Sequence, residues 1–412
     1  MSLRMLIFGF TFIVTFLLRG FTQEAADLKS LYDAHKWRDL YIRVQSTSDA
    51  RPLYRGAMDV VFNQDPGQAE RLLLSVLSAD RHSPEAYEAS EWLSHLYLYR
   101  GQYRKLVHVM ERRWATFPDK KQRKQEEAEI AGFRGLPDQR IKSSRPSTLT
   151  HEPGSTFVRL SINGGSATYF FDTGAWVSCM SESEANRLHL TIRNTSGTMG
   201  QSAGSQVGFR TAVARDVILG ETHFKNVSFA VFPDNQEPWT DLPVGRKGIV
   251  GVPMLTGLRT IRWGKASKIE FSNPSQPFDI HKANLMFDDD HLVISARVEG
   301  ETIDATVDTG AVSTDLYQPF ADKFATLLKM NGKADTRELH GVGHAETFQS
   351  VTLPKLGIQV GGVDTVLSPA HVVLKSIGAE CCVGNFGMDL FSQTPAMDID
   401  FGAMELRLVP TN

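Results

Sequence analysis

Apolar residues recur with helical spacing between residues 25 and 118 and with strand-like alternation from 147 to 410. In the first region, "ERLLLSVLSA" from Glu70 and "EAYEASEWLSHLYLYR" from Glu85 each place apolar side chains on one face of a helix, with proline or glycine at the breaks. In the second, short β-branched runs alternate with polar residues and are cut by Gly, Asn and Asp. Between them lie the charged "DKKQRKQEEAEI" and the Pro-, Ser- and Arg-containing "RGLPDQRIKSSRPST", which predict a linker over 119–146. The pattern predicts a multidomain chain, an N-terminal all-α region followed by an all-β region.

Both regions contain repeats. Gly67 and Gly101 stand 34 residues apart, and each opens an amphipathic segment closed by a proline, Pro84 or Pro118. A helix-pair period of that length, with Tyr97, Gly101, Tyr103 and Pro118 in place, resembles the tetratricopeptide repeat. A poorer copy centres on "AHKWRDLYIRV". The resemblance implies roughly three stacked units and a groove for a protein partner; the alternative is a structural helical cap.

The β-rich region repeats more plainly. "FVRLSINGGSATYFFDTGA" (Phe157–Ala175) aligns without a gap on "VISARVEGETIDATVDTGA" (Val293–Ala311), at an offset of 136. In each copy a strand reaches a turn with glycine, Gly164 or Gly300, and a second strand returns to end in Asp-Thr-Gly-Ala. "GIVGVPML" is matched with "CCVGNFGMDL", pairing Gly251 with Gly384, and "IRWGKASKIEF" with "IDFGAMELRL". Two copies of one unit are therefore expected, 147–271 and 284–410, joined by a linker over 272–283. A given tripeptide is expected less than about 0.1 times in a chain of this size, so two in register are not a coincidence.

Composition narrows the class. In 412 residues, 42% hydrophobic and 22% charged describe an ordinary globular protein, and a net charge of −3 argues against nucleic acid as partner. Cys179, Cys381 and Cys382 are too few for a disulfide framework and read as core thiols, a bridge from Cys179 to either of the others staying open. Arg4 followed by "LIFGFTFIVTFLL" reads as a signal peptide over 1–22, for a secreted or periplasmic protein; the alternative is an uncleaved N-terminal anchor, the chain's only expected membrane contact.

The twin Asp-Thr-Gly-Ala stretches with their later apolar-apolar-Gly resemble the aspartic peptidases, and most of all the retropepsin-like branch with both halves in one chain. The resemblance covers about 147–410 and implies a bilobal acid-protease barrel fold. It implies that Asp172 and Asp308 are the catalytic pair of an aspartic endopeptidase acting on polypeptides as a monomer, with no metal or cofactor. Thr173 and Thr309 would link the two loops, and Gly174 and Gly310 would let the backbone pass beneath the carboxyls. Two carboxylates about 4 Å apart repel by roughly 4 kcal/mol at an effective dielectric of 20, about three pKa units. Such a pair holds one proton between them, and the sequence does not say on which member. Ala175 and Ala311 stand where acid-active relatives carry Ser or Thr, which predicts activity reaching towards neutral pH. Met199 and Gly200 in one Gly-rich hairpin, and Gly341, Val342 and Gly343 in another, are flap candidates; ordinary surface hairpins are the alternative.

Three rival chemistries are weighed against this. "GQSAG" around Ser202 fits the Gly-x-Ser-x-Gly of a serine hydrolase, but no helix pattern follows it. His340 and His344 are four apart with glycines between them, a poor metal site. The remaining rival is a non-catalytic secreted scaffold whose peptidase-like units only bind peptides.

Overall fold

Proline and small polar caps set the helix starts. Pro52, Pro66 and Pro84 each occupy the first turn of a helix, where the missing N–H costs nothing. Asp65 accepts from the Gln68 N–H (2.8 Å) and Ser83 from the Ala86 N–H (3.2 Å). In the computed structural model, which describes residues 27–47, 51–118, 123–151, 156–200, 206–264, 267–340, 345–377 and 381–410, the helices run Trp37–Ser46, Pro52–Val61, Pro66–Ala79, Pro84–Tyr99 and Tyr103–Thr116, each packing on the next. The N-terminal segment read as a signal peptide lies outside the described residues, among which no helix is long and apolar enough to cross a membrane.

The 34-residue glycine register does not recur in the fold. Gly67 sits inside the first turn of Pro66–Ala79, whereas Gly101 follows Pro84–Tyr99 with φ +63° and stops it. The two glycines do different work, one tolerated in a helix and one in the left-handed position that favours glycine. The helical region is real; its internal period is not carried by these two residues.

Each half of the β-rich region contains the same hairpin. Phe157–Ile162 pairs with Gly165–Phe171, and His291–Val298 with Glu301–Val307. The two-residue turns are Asn163-Gly164 (φ +49° and +86°) and Glu299-Gly300 (φ +51° and +82°), the paired positive φ that suits the twist of a tight hairpin. The first half builds an eight-stranded sheet in which Gln206–Leu219 pairs with Thr222–Phe232 as well as with Phe157–Ile162, curling it into a barrel-like shape. The second half builds a ten-stranded sheet. A five-stranded sheet joins them through Thr260–Gly264 against Ala396–Asp400, in which Arg262 faces Asp398.

The stretch 119–146, expected to be a linker, is largely built into the fold. Residues Arg123–Ala131 form a helix, Ile130, Phe133 and Leu136 are buried, and Arg140–Ser143 adds a strand beside Thr222–Phe232. The charged residues around these apolar anchors mask them in the sequence pattern. Phe133 is central: its ring stacks on Tyr103 (4.9 Å between centroids) and touches Phe209 (5.4 Å) and Trp176 (5.8 Å). The helical region packs on both halves. Tyr99 stacks on Phe287 (4.2 Å) and its hydroxyl donates to the Asp289 carbonyl, while the Thr256 hydroxyl donates to the Tyr99 carbonyl (2.9 Å). All three cysteines are free, Cys179 and Cys382 in the core and Cys381 at its edge.

Candidate active site

The strands Gly165–Phe171 and Glu301–Val307 each end one residue before an aspartate. The chain is caught there by a short parallel strand: the Asp172 N–H donates to Val250 (3.1 Å) and the Asp308 N–H to Phe386 (3.0 Å). Each loop then turns back on its own carboxylate. The Gly174 N–H donates to Asp172 Oδ1 (2.8 Å), and the N–H groups of Gly310 and Ala311 donate to Asp308 Oδ1 (2.9 Å each).

Thr173 and Thr309 lock the loops together. Thr173 Oγ1 donates to the Val307 carbonyl (2.6 Å) and accepts from the Thr309 N–H (3.0 Å). Thr309 Oγ1 donates to the Phe171 carbonyl (3.0 Å) and accepts from the Thr173 N–H (3.2 Å). Both side chains are buried, so every bond is made away from water. Replacing Thr173 by Val orphans a buried donor and a buried acceptor and is expected to lower stability by about 1–3 kcal/mol. Urea unfolding measures this, and an unchanged midpoint would show that the loops do not depend on the grip.

The interlock brings Asp172 and Asp308 face to face. A Cβ on Gly310 would lie 2.6 Å from the carboxyl carbon of Asp172, and one on Gly174 would lie 3.0 Å from that of Asp308. Each glycine thus runs directly beneath the opposite loop's carboxyl. Burial first, then the charge of Asp308, holds the Asp172 carboxyl well above its ordinary range, against the pull of the Gly174 and Ala175 N–H groups. Two acids so placed can hold one proton and polarise a small molecule bound between them.

Behind each loop a glycine opens a short helix. Gly251 precedes Val252–Leu258 and Gly387 precedes Met388–Phe391; the N–H of Val252 donates to Ala175 (2.8 Å) and that of Met388 to Ala311 (2.9 Å). This corrects the pairing of Gly251 with Gly384. The partner of Gly251 is Gly387, because both press on the same part of the aspartate loop. A Cβ on Gly251 would strike the carbonyls of Ala175 (2.5 Å) and Val177 (2.7 Å), and one on Gly387 those of Ala311 (3.0 Å) and Ser313 (2.6 Å). Gly384 instead starts the short strand Gly384–Phe386, as Gly248 starts Gly248–Val250.

The corrected register exposes residues that motif reading passed over. Ser178 and Thr314 accept the N–H of Gly251 (3.1 Å) and Gly387 (3.0 Å). Ile249 in the first half becomes Asn385 in the second, and Phe170 becomes Thr306. Asn385 Nδ2 donates to Asp308 Oδ2 (2.8 Å), and Thr306 Oγ1 donates to Asn385 Oδ1 (2.5 Å). Asp315, the counterpart of Cys179, pairs with Arg337 (2.7 Å), which also donates to Ser313 Oγ (2.6 Å).

Two hairpins rise beside the pair: Ile192–Gly200 with Gln206–Leu219, and Lys333–His340 with Ala345–Leu353. Met199 is buried and Gly200 ends its strand, whereas Gly341, Val342 and Gly343 lie outside the described residues, as does Ser202. The described segment that follows Ser202, Gln206–Leu219, is a strand, where a serine hydrolase needs a helix. The first hairpin is braced from outside, Thr211 Oγ1 donating to the Gly132 carbonyl (3.1 Å). The second reaches across to the first half, where His340 Nδ1 meets Glu237 Oε2 (3.1 Å). Among the described residues no cluster of metal-ligating side chains occurs.

Residues 158–256 match the protein family described as "gag-polyprotein putative aspartyl protease", a span that contains Asp172 and Gly251. No curated protein matches the chain. Among solved structures, a retropepsin-like aspartic protease from Rickettsia conorii matches at 14% identity, over 32% of this chain and 93% of that one, with a TM-score of 0.22. The family match lies within the first half and includes Asp172, while Asp308 lies outside it.

Proposed function

We propose that the protein is an aspartic endopeptidase whose catalytic pair is Asp172 and Asp308. The observation that carries this reading is the facing of the two carboxyls across interlocked loops. The ionised member takes a proton from a bound water as its oxygen attacks the peptide carbonyl carbon. The protonated member gives its proton to the carbonyl oxygen, so that no free oxyanion accumulates. The resulting diol collapses: the leaving nitrogen takes the proton now held by the general base, the C–N bond breaks, and a diol hydroxyl returns its proton to the other carboxyl. The pair ends with one proton, as it began. The two hairpins close over the substrate and exclude water. The N-terminal segment exports the protein, and the helical region recruits substrate or a partner.

The purified protein, incubated with a mixture of denatured proteins, is expected to cut them and to be stopped by a statine-type inhibitor. Absence of cleavage at every pH from acid to neutral would sink the reading.

The pH profile carries a further expectation. A carboxyl raised above its ordinary range keeps its proton to higher pH, so the singly protonated pair persists towards neutrality. The falling limb of kcat/KM is therefore expected well above the ordinary carboxyl range. An optimum at about pH 2 to 3 with no activity above about pH 5 counts against it.

A further inference from the structure

The pair is built with near-symmetry, and one side chain breaks it. Both loops turn backbone N–H groups onto their own aspartate, that of Gly174 on Asp172, and those of Gly310 and Ala311 on Asp308. Both loops continue with Ala, Ala175 and Ala311, whose side chains have no donor. The second half supplies one from elsewhere. Asn385 Nδ2 lies 2.8 Å from Asp308 Oδ2, and the corresponding position in the first half holds Ile249, which has nothing to donate.

The Asn385 amide is held at its other end as well. Thr306 is its neighbour on the adjoining parallel strand, and its hydroxyl donates to Oδ1 at 2.5 Å. A hydroxyl that points its hydrogen at Oδ1 leaves only Nδ2 for the carboxyl. An amide N–H favours the charged acceptor, since the neutral acid attracts it less. In the first half the same two positions are Phe170 and Ile249, both apolar.

We propose that Asn385, oriented by Thr306, is a positioning residue that places the negative charge of the pair on Asp308 and leaves the shared proton on Asp172. This rests on the peptidase reading for its catalytic meaning: Asp308 becomes the base that takes the proton from water, and Asp172 the acid that serves the carbonyl oxygen. The raised position of the Asp172 carboxyl agrees with it. Among the described residues, the thiol of Cys179 feels the charge of Asp172, and the phenol of Tyr317 that of Asp315 and then Asp308. Burial pushes both above their usual ranges, so neither ionises while the carboxyls titrate. Asp315, which also acts on Tyr317, is paired with Arg337.

The test follows the carboxyls directly. In the full chain labelled with 13C at the aspartate carboxyl, the Asp172 and Asp308 signals are assigned by their loss in Asp172→Asn and Asp308→Asn. The signal that ionises first as pH rises is expected to be that of Asp308. In Asn385→Leu this first step is expected to move up by about one pH unit, a tenfold change in proton affinity. Thr306→Val, which keeps the amide but frees it to turn, is expected to give a smaller shift in the same direction, and Thr306→Ser to restore the original value. The acid limb of kcat/KM moves with the first step, while KM stays near its original value. An Asp172 signal that ionises first, or a first step that stays put in both Asn385→Leu and Thr306→Val, overturns the assignment. Should Asn385→Leu not fold, the Thr306 pair decides alone. The two readings fail separately: an unmoved first step in a protein that cuts peptides removes the role of Asn385 only. An ordered titration in a protein that cuts nothing removes the peptidase and leaves the charge placement.

Discussion

Asp172→Asn is expected to lower kcat at least about 1,000-fold, and Asp308→Asn to do the same, because each removes a proton donor or acceptor that the reaction uses twice. The amide fills nearly the same volume and accepts the same Gly174 N–H, so the fold has no reason to fail. Stability is expected to move the other way. The native carboxyl of Asp172 is raised by burial and by Asp308, so the folded chain binds this proton more tightly than the unfolded one. Stability then falls as pH rises from the unfolded carboxyl value, about 3.9, towards the raised native one. The substituted amide carries no charge and escapes this loss. At neutral pH Asp172→Asn is expected to be more stable than the parent by about 0.5–2 kcal/mol, the size of a common single stabilising substitution. The gain is expected to vanish below about pH 4, where both chains are neutral at this position. Cleavage assays and urea unfolding at two pH values check both arms. Cleavage that survives the substitution unchanged would remove Asp172 from the mechanism.

The second large effect is expected from Gly310→Ala. The new methyl would lie 2.6 Å from the carboxyl carbon of Asp172 and 2.6 and 2.9 Å from its oxygens, closer than real contacts allow. Gly310 has no left-handed φ, so alanine meets no backbone strain there, and the damage is confined to the carboxyl. Asp172 must swing away from Asp308, and a displacement of about 1 Å in a catalytic group costs on the order of 100-fold in rate. Gly174→Ala is a graded control. Its methyl would stand 3.0–3.1 Å from the Asp308 carboxyl, a gap that a shift of a few tenths of an ångström relieves. Gly310→Ala is therefore expected to lose at least about 100-fold in kcat and Gly174→Ala clearly less. Equal losses would mean that the two glycines act through the loop backbone and not through the opposing carboxyl.

Much of the site was legible because it is written twice. The offset of 136 matches hairpin turn to hairpin turn, aspartate to aspartate and threonine to threonine, and the structure keeps it for Ser178 and Thr314 and for Gly251 and Gly387. The mispairing of Gly251 with Gly384 broke that register by three residues. It hid the exchange of Ile249 for Asn385, the change that distinguishes the two carboxyls. A polar residue replacing an apolar one at both Phe170 and Ile249, now Thr306 and Asn385, was the available signal.

The sequence by itself determined what depends on neighbours along the chain. Turn residues at Asn163-Gly164 and Glu299-Gly300 fix the hairpins, proline and capping residues start the helices, and the duplicated Asp-Thr-Gly-Ala names both acids. Only the tertiary structure decided which groups surround those acids. Asn385 is 77 residues from Asp308 and arrives through a parallel strand, a pairing that requires a long crossover and leaves no local trace. The segment Arg123–Ser143 was likewise hidden. Its charged residues dominate the composition, while the few buried contacts that matter, Phe133 against Tyr103, Trp176 and Phe209, exist only once three distant parts of the chain have come together.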